Sequence, residues 1–224
     1  MLNSLPVLDT FKFKNQKIFL KNFHMERSAE ACQILNPNVR IESVSQIYDL
    51  LEETHASKIS NEQIVRVQFG VTNTPLYTVE IHKLAYLPPI LNLQCMTELK
   101  QLGGMGKQNY KWTNREFWSQ VMKLKRPEVD DVMCCNEKNE ITETSRFNLF
   151  FYESKADVVY TPPLHSGCIN GVYRRYAIEN KSIMLPKLGL KKVIEKSILA
   201  SSVEQYQIFA ANSIREVLMA KLLV

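Results

Sequence analysis

Asp131-Val-Met-Cys-Cys-Asn-Glu-Lys-Asn-Glu-Ile-Thr-Glu-Thr-Ser-Arg-Phe-Asn-Leu-Phe-Phe151 sets short runs of apolar, β-branched and aromatic residues between polar turns. That pattern predicts strands over 131–136, 140–144 and 148–152, joined by short turns such as Glu137-Lys-Asn139. A further strand is predicted over 158–160, beyond Glu153-Ser-Lys-Ala156. The next stretch, Tyr160-Thr-Pro-Pro-Leu-His-Ser-Gly-Cys-Ile-Asn-Gly-Val-Tyr-Arg-Arg175, leads into a helix predicted over 171–180, entered through Gly167 and Gly171. A helix entrance offers free amides and the positive end of a dipole, and a glycine there lets backbone approach an anion closely. On the N-terminal side, 113–124 has helical spacing with Thr113 or Asn114 as its cap, and Lys111 stands just before it.

The glycines reinforce this order. Five of the chain's 7 fall in two clusters, Gly103/Gly104/Gly106 ahead of Lys111 and Gly167/Gly171 ahead of Arg174, with Glu143 and Asn148 between them. A lysine, an acid on a strand and a phosphate-competent helix entrance are the groups needed to hold pyridoxal phosphate covalently and tune its ring.

Further out, segments 8–13 and 17–20 flank Lys14-Asn-Gln16 as a short hairpin, and helices are predicted over 23–35 and 44–55. Strands follow over 64–71 and 76–87, separated by the turn Thr72-Asn-Thr-Pro75. This first part reads as a small α+β unit with an antiparallel sheet. The loose stretch 99–110 suggests the connection, giving domains 1–102 and 113–224 joined through 103–112. The last third is predicted to hold a helix at 190–195, a strand at 206–209 and a polar turn at Asn212-Ser213. There is no internal repeat.

The 224 residues, 45% hydrophobic, suffice for a sizeable core. Cys32, Cys95, Cys134, Cys135 and Cys168 are odd in number and scattered, without metal-ligand spacing, so neither a disulfide framework nor a metal site is expected. The expectation is a reducing, cytoplasmic setting without export or membrane spans, since the longest apolar stretch, 84–93, is broken by Pro88 and Pro89. The net charge of +5 is mild and dispersed, arguing against nucleic acid and suiting a small anionic substrate.

The segments 131–151 and 160–175 resemble the class IV aminotransferase family, in which a glutamate, four residues, an asparagine and an apolar strand match Glu143 to Phe151. Gly167 to Arg174 matches the family's glycine, loop, glycine and arginine. Phe19-Leu-Lys-Asn-Phe-His-Met-Glu-Arg27 is similar to its early helix with a His-x-x-Arg signature, so the resemblance covers most of the chain. It implies the two-domain α+β fold type IV of the pyridoxal phosphate enzymes, the D-amino-acid aminotransferase-like fold. The family includes branched-chain and D-amino-acid transaminases and 4-amino-4-deoxychorismate lyase.

By the resemblance, Lys111 in Lys111-Trp-Thr-Asn-Arg115 is the catalytic lysine, lying ahead of Glu143 by about the family's separation. Lys107 is the competing lysine, and a solvated lysine at a helix start is the plain alternative. Glu143 would face the pyridine nitrogen and keep it protonated, and Asn148 would hold the site's geometry. Gly171, Val172 and Tyr173 would cradle the phosphate with Arg27, and Asn212 would supply the last turn on the phosphate side. Arg215 and Arg146 are candidates for a substrate carboxylate, while His24 and His165 are expected to be structural. The family's opening acidic-arginine-glycine turn and aromatic-glycine-aspartate-glycine strand are not matched near Val7-Leu-Asp-Thr-Phe11, so the substrate side is the least closely matched. The resemblance implies a homodimer with the site near its interface, one pocket wall coming from the partner.

Three readings of function follow. The Lys111-Trp-Thr-Asn-Arg115 and Asn212-Ser-Ile-Arg215 segments favour a lyase converting 4-amino-4-deoxychorismate to 4-aminobenzoate and pyruvate, a step of folate synthesis. A branched-chain or D-amino-acid transaminase is the alternative, and a non-catalytic descendant binding a ligand or partner is the third.

Overall fold

The computed structural model describes residues 6–35, 41–60, 62–70 and 77–223. The chain divides into two compact units, one of residues 1–86 with 110–114 and one of residues 87–109 with 115–224.

In the first unit, β1 (Val7–Phe11) leads through a hairpin, β2 (Phe13–Lys14) and β3 (Lys17–Ile18), into helices α1 (Lys21–Leu35) and α2 (Ile41–His55). Asn15 and Gln16 turn the hairpin at positive φ, which asparagine tolerates well. Strands β4 (Gln63–Phe69) and β5 (Tyr77–Lys83) complete an antiparallel sheet in the order β1-β4-β5. The helix α2 presents Val44, Ile47, Tyr48 and Leu51, three and four residues apart, to a core that includes Phe11, Phe69 and Val67. Each such apolar side chain contributes about 1.5–3 kcal/mol on burial. The turn expected at Thr72-Asn-Thr-Pro75 lies outside the described residues.

The second unit is built on a nine-stranded mixed sheet. Its strands are β6 (Ile90–Gln101), β7 (Asp131–Asn136), β8 (Ile141–Thr144), β9 (Asn148–Glu153), β10 (Val158–Thr161), β11 (Ser182–Leu185), β12 (Gly189–Glu195), β13 (Gln207–Asn212) and β14 (Glu216–Leu222). Their order is β11-β12-β10-β9-β13-β14-β6-β7-β8. Helix α3 (Glu116–Lys123) precedes β7, and α4 (Val172–Glu179) follows β10. Strands β7, β8 and β9 are buried on both faces. β7 and β9 read as largely apolar runs, whereas β8, at the end of the strand order, carries Thr142, Glu143 and Thr144.

Four expectations are corrected. The division falls after Tyr86 rather than at 102, because β6 pairs in parallel with both β7 and β14 and so belongs to the second unit. The glycine-rich residues 103–106 are part of that unit too. The Gly103 N–H donates to Glu137 Oε2 at 2.9 Å and the Gly104 N–H to the His165 carbonyl at 2.6 Å. Residues 190–195 form a strand, not a helix. Leu190 and Ile194 mimic helical spacing, but both are exposed while Val193 is buried, and the strand pairs with β10 and β11. Finally, α3 begins after Arg115 rather than at Thr113, because the Thr113 N–H donates to the Pro6 carbonyl at 3.2 Å and extends along β1 instead.

Candidate active site

Lys111 is fixed by that extended segment. Its carbonyl accepts from the Leu8 N–H at 3.0 Å, Trp112 bridges to Val7, and its Nζ donates to Thr10 Oγ1 at 3.0 Å. The side chain is half-buried. Thr10 is next to Asp9, a completely buried carboxylate that accepts from His24 Nδ1 at 2.8 Å, from Arg27 and from the Tyr48 hydroxyl. Tyr48 also shares a hydrogen bond of 2.8 Å with Ser28. Burial alone would raise the Asp9 carboxyl, but the hydrogen bond from His24 and the charges of Arg27 and Lys111 outweigh it and hold the group far below the usual carboxylate range. Burial pushes His24 down, toward the neutral ring. Its Nε2 is buried without a hydrogen-bond partner.

The first unit thus brings Arg27 and Lys111 together around Asp9. No sequence signal other than an acid within the run Val7–Phe11 marks Asp9, and Tyr48 reads as ordinary helix core. His24, expected to be structural, is a member of this cluster. His165 takes part only through its carbonyl, which accepts from Gly104.

In the second unit Glu143, Asn148 and Gly171 meet. Asn148 Nδ2 lies 3.4 Å from Glu143 Oε2 and donates to the Ile169 carbonyl at 3.0 Å. Gly171 caps α4, and a Cβ there would stand 1.9 Å from Asn148 Oδ1, so any larger residue would have to displace the Asn148 side chain. Gly167 has φ +105° and sits against the Leu102 carbonyl, 2.2 Å from where a Cβ would be. Asn109, two residues before Lys111, braces this loop by donating to the carbonyls of Leu164 at 3.0 Å and Cys168 at 2.7 Å. Burial raises the Glu143 carboxyl to about 7, against hydrogen bonds from the Ile169 N–H and Gln101 that pull it down.

Val172 and Tyr173 form the buried first turn of α4, and burial raises the Tyr173 phenol to about 12. Arg174 is almost fully buried and is committed to the Pro162 carbonyl and Glu195. Asn212 ties the turn after β13 to the loop before β9. Its Nδ2 donates to the Arg146 carbonyl at 3.0 Å, and its Oδ1 accepts from the N–H groups of Ile214 and Arg215. Arg146 ion-pairs with buried Asp131 at 3.3 Å. Burial and the neighbouring Arg146 charge both lower Arg215, so the two guanidinium groups stand close enough to repel.

The sequence model of the amino-transferase class IV family matches residues 6–223. The chain belongs to the class IV aminotransferase family. The fold agrees. A hypothetical aminotransferase from Mycobacterium tuberculosis, in its PLP-bound form, superposes with a TM-score of 0.78 at 11% identity, over 98% of this chain and 82% of that one. The 4-amino-4-deoxychorismate lyase from Pseudomonas aeruginosa gives 0.76 at 12% identity, over 98% and 83%. The branched-chain aminotransferase from Thermoproteus uzoniensis, solved with norvaline, gives 0.74 at 18% identity, over 98% and 78%. No curated protein sequence matches the chain. Class IV aminotransferases are pyridoxal phosphate enzymes, so this protein is an aminotransferase or lyase of that kind.

The residues present suit the cofactor. Glu143 is a buried acid surrounded by hydrogen-bond donors, able to pair with a protonated ring nitrogen. Gly171 keeps backbone clear at the start of α4, and the unpartnered His24 Nε2 lies in the cluster that holds Arg27. Among the described residues no group of three or more His, Cys, Asp or Glu could hold a metal ion, and no helix is long and apolar enough to cross a membrane.

Proposed function

We propose that this protein is a 4-amino-4-deoxychorismate lyase, releasing pyruvate and leaving 4-aminobenzoate. The observation that carries the reading is the Lys111-Trp-Thr-Asn-Arg115 segment, anchored along β1 with the lysine amine beside Thr10 and the Asp9 cluster. The Asn212-Ser-Ile-Arg215 turn places Arg215 beside Arg146, which is ion-paired with Asp131, and the positive charge there suits a substrate bearing carboxylates.

Pyridoxal phosphate supplies an electron sink for charge that develops at the substrate carbon when a bond there breaks. Lys111 is assigned to hold the cofactor covalently and then to carry protons at the substrate carbon. Glu143 holds a proton at the ring nitrogen. Arg27, Gly171, Val172, Tyr173 and Asn212 bind the phosphate, and Asn148 orients Glu143. The same reading takes the protein as a homodimer.

The test supplies enzymatically generated aminodeoxychorismate to protein loaded with pyridoxal phosphate and follows both products, with Lys111→Ala as control. Lys111-dependent formation of 4-aminobenzoate and pyruvate is expected. A protein that takes up the cofactor but forms neither product is instead a transaminase, to be identified by pairing amino donors with keto acids. A protein that takes up no cofactor is the non-catalytic descendant.

A further inference from the structure

Gln101 is the last residue of β6, and it reaches its place through an irregularity of that strand. Met96 pairs with Cys134, yet the next pair is Lys100 with Cys135 and then Gln101 with Asn136. Residues 97–99 are therefore looped out of the ladder. A β6 without the slip would place Glu98 opposite Asn136, and hence a carboxylate where the Gln101 amide stands. Bulges commonly serve to re-aim a side chain at a site.

The amide so placed makes three contacts. Its Nε2 donates to Glu143 Oε1 at 3.3 Å and to the Gly167 carbonyl at 3.0 Å. Its Oε1 accepts from the Thr142 hydroxyl at 2.8 Å, a hydroxyl that also lies 3.1 Å from the Cys134 carbonyl. Turning the amide round would set its oxygen against the Gly167 carbonyl and the Glu143 carboxylate, so these two acceptors fix its orientation, while the Thr142 hydroxyl, able to donate or accept, supports it. Gln101 is buried, so no water replaces a lost contact cheaply.

We infer that Gln101 is the positioning residue of this site: an amide locked in one orientation that holds the Glu143 carboxylate by donation and ties it to the Gly167 loop. Its importance to catalysis rests on the reading of Glu143 as the acid facing the cofactor ring. The looped-out 97–99 segment is then what substitutes a donor for a second acid beside Glu143.

The test is made on the full chain without added cofactor, so that it does not depend on that reading. Protein carrying 13C at the glutamate carboxyl carbons is titrated by NMR, with the Glu143 signal assigned by its loss in Glu143→Gln. Removing the donor in Gln101→Leu is expected to raise the Glu143 midpoint by about one pH unit or more, since a hydrogen bond to the charged form is lost. Thr142→Val, which removes the hydroxyl that steadies the amide oxygen and so loosens the amide, is expected to move the midpoint the same way by less, and covers the case in which Gln101→Leu does not fold. A midpoint unchanged within about 0.3 unit, or lowered, in the variant that folds overturns the inference. Adding pyridoxal phosphate to the same samples separates the two claims. If wild-type protein takes up none, the functional reading fails, while Gln101 stands or falls on the NMR result alone.

Discussion

Asp9 and Glu143 are both carboxyls withdrawn from water, and their surroundings send them opposite ways. Asp9 has His24, Arg27 and Lys111 around it and stays ionised, whereas Glu143 has uncharged donors in contact and is raised to about 7. The sign of the stability effect follows. A carboxyl raised from 4.5 to about 7 binds more protons folded than unfolded, so its contribution is full below about 4.5 and is lost as pH climbs through 7. Replacing it with a neutral isostere, Glu143→Gln, should leave cofactor-free stability unchanged near pH 4.5 and raise it by about 3 kcal/mol at pH 8, measured by urea unfolding. Equal stability of the two proteins at pH 8 would show that Glu143 is not raised. The sequence motif made Glu143 legible, because its spacing to Asn148 is part of it. Asp9, Tyr48 and Gln101 were not legible, since a buried polar residue is recognised by what packs against it from distant segments.

The helix α1 shows at the next scale why a site can hide in a good pattern. Its buried stripe is His24, Arg27, Ser28, Ala31, Cys32 and Leu35, at ideal helical spacing, but its first half is polar. The spacing was legible and the purpose of the polar half was legible only through the His-x-x-Arg resemblance. Helices α1, α2 and α4 and strands β7 to β10 follow from local sequence, while β6, β11 and β14 do not. β6 and β14 pair with each other from far apart in the chain, which local spacing cannot report, and β11 pairs with the neighbouring β12, whose residues read as a helix. The two site glycines give a contrast that tests the loop geometry. Gly171→Ala drives a methyl into the movable Asn148 side chain, so a loss of about 1–3 kcal/mol is expected, largely recovered in the double variant with Asn148→Ala. Gly167→Ala meets backbone at positive φ, and Asn148→Ala should recover nothing there. Thermal unfolding of the four proteins distinguishes the cases, and equal recovery in both would contradict the geometry.

At the scale of the whole molecule, the chain makes one compact unit, leaves it after Tyr86, and returns to it for residues 110–114 only. Lys111 lies in that returning segment, which is why a boundary drawn through the glycines at 103–106 misses the division. The α+β class was legible because strand-like and helix-like segments alternate along the chain, and the family motifs bind that fold to a cofactor chemistry. What the motifs assign most sharply is the lysine. Protein loaded with pyridoxal phosphate, reduced with borohydride and digested, should yield a single labelled peptide by mass spectrometry, with the cofactor on Lys111 and no label in Lys111→Ala. Label on Lys107, or label that persists in Lys111→Ala, would contradict the assignment.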